Sequence, residues 1–163
     1  MPDFVGHGVI MRFGKMLVGL VALFVMLFSA GQALARQVVP VVDFVDVPVV
    51  TTSGHSVTAQ QVRDVIIAAA TGRQWSIAKS PSENLLTATL EVRGKHTVVV
   101  VMTYSEKAYS IKYQGSTNMK YAVMSEINGV MRDDPRGMKM IHPFYNRWVQ
   151  DLNDTIRLEL KKL

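Results

Sequence analysis

The chain has 163 residues, 48% hydrophobic and 19% charged, with a formal charge of +5 and no cysteine. That length and composition suit one globular domain and exclude a disordered chain or a pair of independent domains. The missing cysteines exclude a disulfide framework, a thiolate metal site, a cysteine nucleophile and a lipid-modified N-terminal cysteine.

At the N-terminus, Arg12 and Lys15 precede the apolar run Met16 to Phe28, and Ser29-Ala30-Gly31-Gln32-Ala33-Leu34-Ala35 follows it. A basic flank, a short apolar stretch and an A-x-A site in that order predict a secretory signal peptide over 1–35, cut after Ala35. The run falls short of the ~20 residues of a spanning helix. An inner-membrane anchor over 16–30 is the alternative, and Met11 is a second candidate start. Cleavage leaves sixteen basic and twelve acidic residues, a mild net charge of +4. The cations are scattered rather than gathered in a stripe with interleaved aromatics, which argues against nucleic acid as a partner.

Residues 36–57 are rich in valine but broken by Pro40 and Pro48. Proline removes a ladder donor, so this stretch is predicted to be an extended arm or an edge strand. Thr58 and Gln61 form a capping-box pair ahead of Val62, Val65, Ile66 and Ala69, which recur at helical spacing, with Gly72 as the stop. Four strands follow. Gln74 to Ala78 carries Trp75 and Ile77 on one face, and Ser80-Pro81-Ser82 breaks the run. Leu86, Ala88, Leu90 and Val92 alternate with polar residues, as a half-buried strand does. After a Gly94-Lys95 turn, His96 to Tyr104 holds Val98-Val99-Val100-Val101-Met102, apolar on both faces and therefore expected inside the sheet. Tyr109, Ile111 and Tyr113 make the fourth strand.

Residues 115–140 are the least regular part and read as an insertion with a short helix around Lys120 to Asn128. From His142-Pro143 the helical period returns, with Tyr145, Trp148, Val149, Leu152, Ile156, Leu160 and Leu163 on one stripe and proline well placed in the first turn. Trp148 is expected to be the largest buried piece of this helix. The elements predict an α+β fold over 58–163: a two-layer sandwich in which an antiparallel four-stranded meander is covered on one face by a short N-terminal and a long C-terminal helix.

The chemistry-bearing residues are sparse. His55, His96 and His142 are isolated, without metal-ligand spacing. No nucleophile elbow, paired carboxylates or phosphate loop is present, and Asp133-Asp134 lies among turn residues. Hence no catalytic residue, cofactor or metal is expected. Trp75, Tyr109, Tyr113 and Tyr121 are the candidate binding surface, although Tyr109 and Tyr113 share the face of Ile111 and would pack under a helix if that face is covered.

The runs Arg63 to Ala70, Val92-Arg93-Gly94-Lys95-His96-Thr97, Tyr109-Ser110-Ile111-Lys112-Tyr113 and Ile141-His142-Pro143-Phe144-Tyr145-Asn146-Arg147-Trp148-Val149, with the Trp75 strand, resemble a family of small exported bacterial proteins often described as lipoproteins. The resemblance spans about 47–160 and implies a Gram-negative envelope protein without an assigned activity. The chain departs from that pattern in lacking the lipidated cysteine and in the 120–140 stretch. The expected function is therefore a non-enzymatic periplasmic module that binds another envelope protein or itself, with membrane contact only through an uncleaved signal segment. The alternative is a small-ligand or glycan-binding module with a Tyr/Trp-lined cleft.

Overall fold

The structure is a computed structural model that describes residues 37–79 and 84–163. The signal segment 1–35, the anchor alternative over 16–30 and the Ser80-Pro81-Ser82 break lie outside the described residues. Val38–Leu163 form one compact unit. Its elements are β1 (Val39–Pro40), β2 (Phe44–Pro48), α1 (Ala59–Gly72), β3 (Trp75–Lys79), β4 (Leu85–Val92), β5 (His96–Tyr104), β6 (Ala108–Thr117), β7 (Ala122–Ile127), β8 (Val130–Asp133), β9 (Met138–Ile141) and α2 (Pro143–Leu160). The fold is α+β, with two antiparallel sheets and two helices.

The larger sheet has the order β2-β6-β5-β4-β3. β3 to β6 follow one another as neighbours, and β5 is central, where its two apolar faces suit it. The sheet has five strands rather than the expected four, because part of the 36–57 arm joins it. Phe44 pairs with Ile111 and Val47 with Tyr109, and a bulge lies between the two pairs. The arm is thus an edge strand of the fold. Proline and the bulge suit an edge, where the missing donor faces away from the ladder. Asp43 Oδ1 accepts the Tyr113 amide at 2.8 Å just before β2 begins.

One alternating set from the sheet faces the core. Leu86, Ala88 and Leu90 of β4, Val98, Val100 and Met102 of β5, and Tyr109 and Ile111 of β6 are buried together with Val62, Ile66, Ala69 and Ala70 of α1. From α2 the buried residues are Tyr145, Val149, Leu152, Asn153, Ile156 and Leu160. Each large aliphatic side chain removed from water contributes roughly 1.5–3 kcal/mol before chain entropy is counted. Trp148 departs from expectation: it is half-buried at the rim, and Tyr145 is the largest fully buried side chain of α2. The apolar stripe on α2 is wider than the surface it covers, so its edge member is left partly in water.

Both helix starts follow from local chemistry. Thr58 Oγ1 accepts from the Gln61 amide at 3.2 Å while Gln61 Oε1 accepts from the Thr58 amide at 2.8 Å, so two orphan donors are satisfied reciprocally. α1 runs through Gly72, and the left-handed residue that turns the chain is Gln74, with φ of 66°. In α2, His142 is the N-cap and Pro143 occupies the first turn.

The expected short helix around Lys120 to Asn128 is a strand. β7 and β8 form a hairpin across Asn128-Gly129, whose φ values of 53° and 76° match the two-residue turn that the right-handed strand twist favours. With β9 and β1 they build a second sheet of order β1-β9-β7-β8. The 115–140 stretch is therefore regular. Asp134 shapes its other turn: Asp134 Oδ1 accepts the Arg136 amide at 2.9 Å and its carbonyl accepts from Gly137 at 2.8 Å. The Arg136 amide first, and then the Ser125 hydroxyl, hold the Asp134 carboxyl below its ordinary range.

Candidate functional site

The four aromatics singled out from the sequence do not form one surface. Trp75 is buried opposite Leu90, and Tyr109 is buried with its hydroxyl donating to Asn153 Oδ1 of α2 at 2.8 Å. Both are core. Burial pushes the Tyr109 phenol above its ordinary range. Tyr113 and Tyr121 are brought together, but against each other, with ring centroids 4.7 Å apart and planes 14° from parallel. Tyr113 also meets Tyr145 edge-on at 5.4 Å, and its hydroxyl lies 2.9 Å from Ser116 Oγ. Burial raises the Tyr113 phenol, and the Ser116 bond opposes that shift. Tyr113 packs half-buried against the core and Tyr121 covers it from the solvent side, itself exposed at 38%.

A cleft does exist, at the start of α2, and different residues build it. One wall is the pair Phe144 and Trp148, four residues apart on the helix and stacked at 5.8 Å and 21°. The turn between β4 and β5 supplies the opposite side with Val92, Arg93 and His96, and Met119 contributes its buried side chain. Arg147 and His142 complete it. The volume is about 370 Å³, near the lower end of the range of roughly 300–1,000 Å³ for small-molecule sites.

The polar groups here are cationic or imidazole. His96 Nδ1 donates to the Asn118 carbonyl at 3.0 Å, which fixes its ring, and His142 Nδ1 accepts the Phe144 amide at 3.3 Å as the helix cap. Among the described residues neither the Arg93 nor the Arg147 guanidinium has an ion-pair or hydrogen-bond partner. Arg93 and Gly94 both have positive φ, 56° and 61°, and the Lys95 amide closes the turn onto the Val92 carbonyl at 3.2 Å. Asparagine is the side chain that such a position accommodates most cheaply.

A second feature is the outer edge of the smaller sheet. All four residues of β8 are exposed, and among the described residues β8 pairs on one side only, with β7. Ile127, Val130, Met131 and Met138 are all exposed apolar residues of this sheet, Met138 at 61% and Val130 at 52%. The sheet's other edge, β1, is two residues long and ends in proline.

Sequence reasoning offered a Tyr/Trp-lined cleft only as an alternative; it set His96 and His142 aside as isolated and read Trp148 as core, so it missed the residues that line this one. Spacing holds no signal for it, since its arginines and its histidines each lie roughly fifty residues apart. The edge strand did leave a signal: Asn128-Gly129 is a strong short-range indicator of a hairpin. Among the described residues no group of three His, Asp or Glu side chains is placed to hold a metal ion, and no helix is long and apolar enough to cross a membrane. No family model, curated protein or solved structure matches the chain.

Proposed function

We propose that the protein is an exported binding module of the bacterial cell envelope, periplasmic once residues 1–35 are removed after Ala35, that docks a partner protein by strand addition. The basic, apolar and small-residue order of the N-terminal segment and the resemblance to small exported proteins support the location. Two layers, with both helices on one face of the larger sheet, leave the smaller sheet to meet the partner. The observation that carries the reading is the β8 edge, a row of backbone groups unpaired among the described residues, with Val130 and Met131 of that strand in water.

The register says which groups a partner would meet. Ile127 and Val130 flank a two-residue turn and exchange hydrogen bonds, as do Ser125 and Arg132, so the amides of Met131 and Asp133 point to the open edge. Met131→Pro deletes one outward donor without removing a bond to β7. With a photo-cross-linking residue at position 130, the unaltered edge should yield a covalent adduct in the periplasmic fraction, from a product beginning at Arg36. Met131→Pro should abolish that adduct at an unchanged melting midpoint. An adduct that survives Met131→Pro refutes strand addition, and one of twice the chain's own mass identifies a second copy as the partner.

A further inference from the structure

We propose that the cleft between the β4–β5 turn and the start of α2 binds a small organic anion: an oxyanion head, carboxylate or phosphate, on a flat apolar body. This site is separate from the β8 edge and does not depend on it. The volume of about 370 Å³ accommodates one ring and a head group. Among the described residues, Arg93 and Arg147 line it without an ion pair and no Asp or Glu lines it. Glu91 and Asp151 stand two and four residues away in sequence, yet neither pairs with these arginines. A guanidinium fork with no internal carboxylate is suited to an external one, and the start of α2 adds the partial positive charge of a helix N-terminus.

The apolar half is equally defined. The stacked Phe144 and Trp148 rings offer a partly exposed apolar wall against which a planar body can lie, and Val92 and Met119 face the same space. Backbone conformation supplies an independent indication. Arg93 occupies a left-handed turn position that asparagine fills at lower cost, so the hairpin holds a cation there against its own local preference.

The test uses the full-length chain and isothermal titration calorimetry with phenyl phosphate, phenylacetate and neutral benzyl alcohol, plus phosphatidylglycerol vesicles. At least one of the two anions should bind with one-to-one saturation and change the fluorescence of Trp148; Trp75 is buried in the core. Benzyl alcohol should bind at least about tenfold more weakly, and added salt should weaken the anion. Arg147→Gln and Arg93→Asn should each weaken binding about tenfold or more, as loss of a charge-assisted hydrogen bond does. Arg93→Asn should do so with a melting midpoint equal to or above that of the unaltered chain, which separates lost recognition from lost folding. Met131→Pro should leave anion binding unchanged. Equal binding of benzyl alcohol, no binding of either anion, or unchanged affinity in both arginine variants overturns the proposal. Binding to the vesicles but to neither soluble anion overturns it in favour of a lipid headgroup.

Discussion

Tyr109 and Tyr145 permit the same one-atom deletion in two opposite settings. Tyr109 donates at 2.8 Å to Asn153 Oδ1, and both residues are buried. Tyr109→Phe leaves the ring in place, creates no cavity, and strands a buried amide oxygen. The net bond contributes about 1 kcal/mol and an orphaned buried acceptor costs roughly 1–3 kcal/mol, so a loss of about 2 kcal/mol is expected. The hydroxyl of Tyr145 is also buried, but no protein group among the described residues pairs with it. Removing it deletes a desolvation cost rather than a bond, so Tyr145→Phe should be neutral or stabilising by up to about 1 kcal/mol. Against a total stability of roughly 5–15 kcal/mol the two variants are separable by urea denaturation. For a domain of this size the Tyr109 variant should melt about 6–8 °C lower. The comparison requires unchanged m-values, which show that compactness is the same. Loss of 1 kcal/mol or more in Tyr145→Phe would refute the reasoning, because its hydroxyl would then have a partner of its own. An unchanged Tyr109→Phe would show that the Asn153 bond contributes nothing net.

Two further expectations follow from the packing. Burial raises the phenols of Tyr109 and Tyr145, so their neutral forms are favoured in the folded state. That contribution is fully present below about pH 10 and is lost as the pH rises, because the unfolded chain releases these protons first. Stability should fall progressively above pH 10, at a slope that approaches but does not exceed about 2.7 kcal/mol per pH unit for the two groups together. Absorbance at 295 nm should show these two of the five tyrosines ionising only with unfolding; five phenols titrating in the native state would contradict it. In the smaller sheet, a Cβ on Gly137 would overlap the Met124 carbonyl across the β7–β9 pairing. Gly137→Ala should cost about 1–3 kcal/mol by forcing backbone movement, and amide exchange should quicken in β7 and β9 more than in β4 and β5; uniform or absent acceleration would refute it.

The amino-acid sequence by itself determined the elements whose signals lie within a few residues of each other. Thr58 and Gln61 announce the start of α1, the alternation from Leu86 to Val92 describes a strand with one buried face, the unbroken valines of β5 mark a central strand, and Pro143 ahead of the Tyr145–Leu160 stripe delimits α2. Each of these is a local choice between a period of two and one of 3.6. Tertiary structure decided whatever depends on partners far along the chain. The stretch from Ala122 to Ile141 has little alternation because its small sheet is largely in water, so pairing rather than burial defines its strands; only Asn128-Gly129 marked the hairpin locally. Whether Tyr145 or Trp148 is the buried aromatic of α2 depends on how the helix axis lies on the sheet, which periodicity fixes only to within the width of the stripe. The cleft is the extreme case. Arg93 and His96 come from a hairpin turn, His142 and Arg147 from a helix start roughly fifty residues later, and only the packing of α2 against the sheet brings two guanidinium groups and a pair of stacked rings around one space.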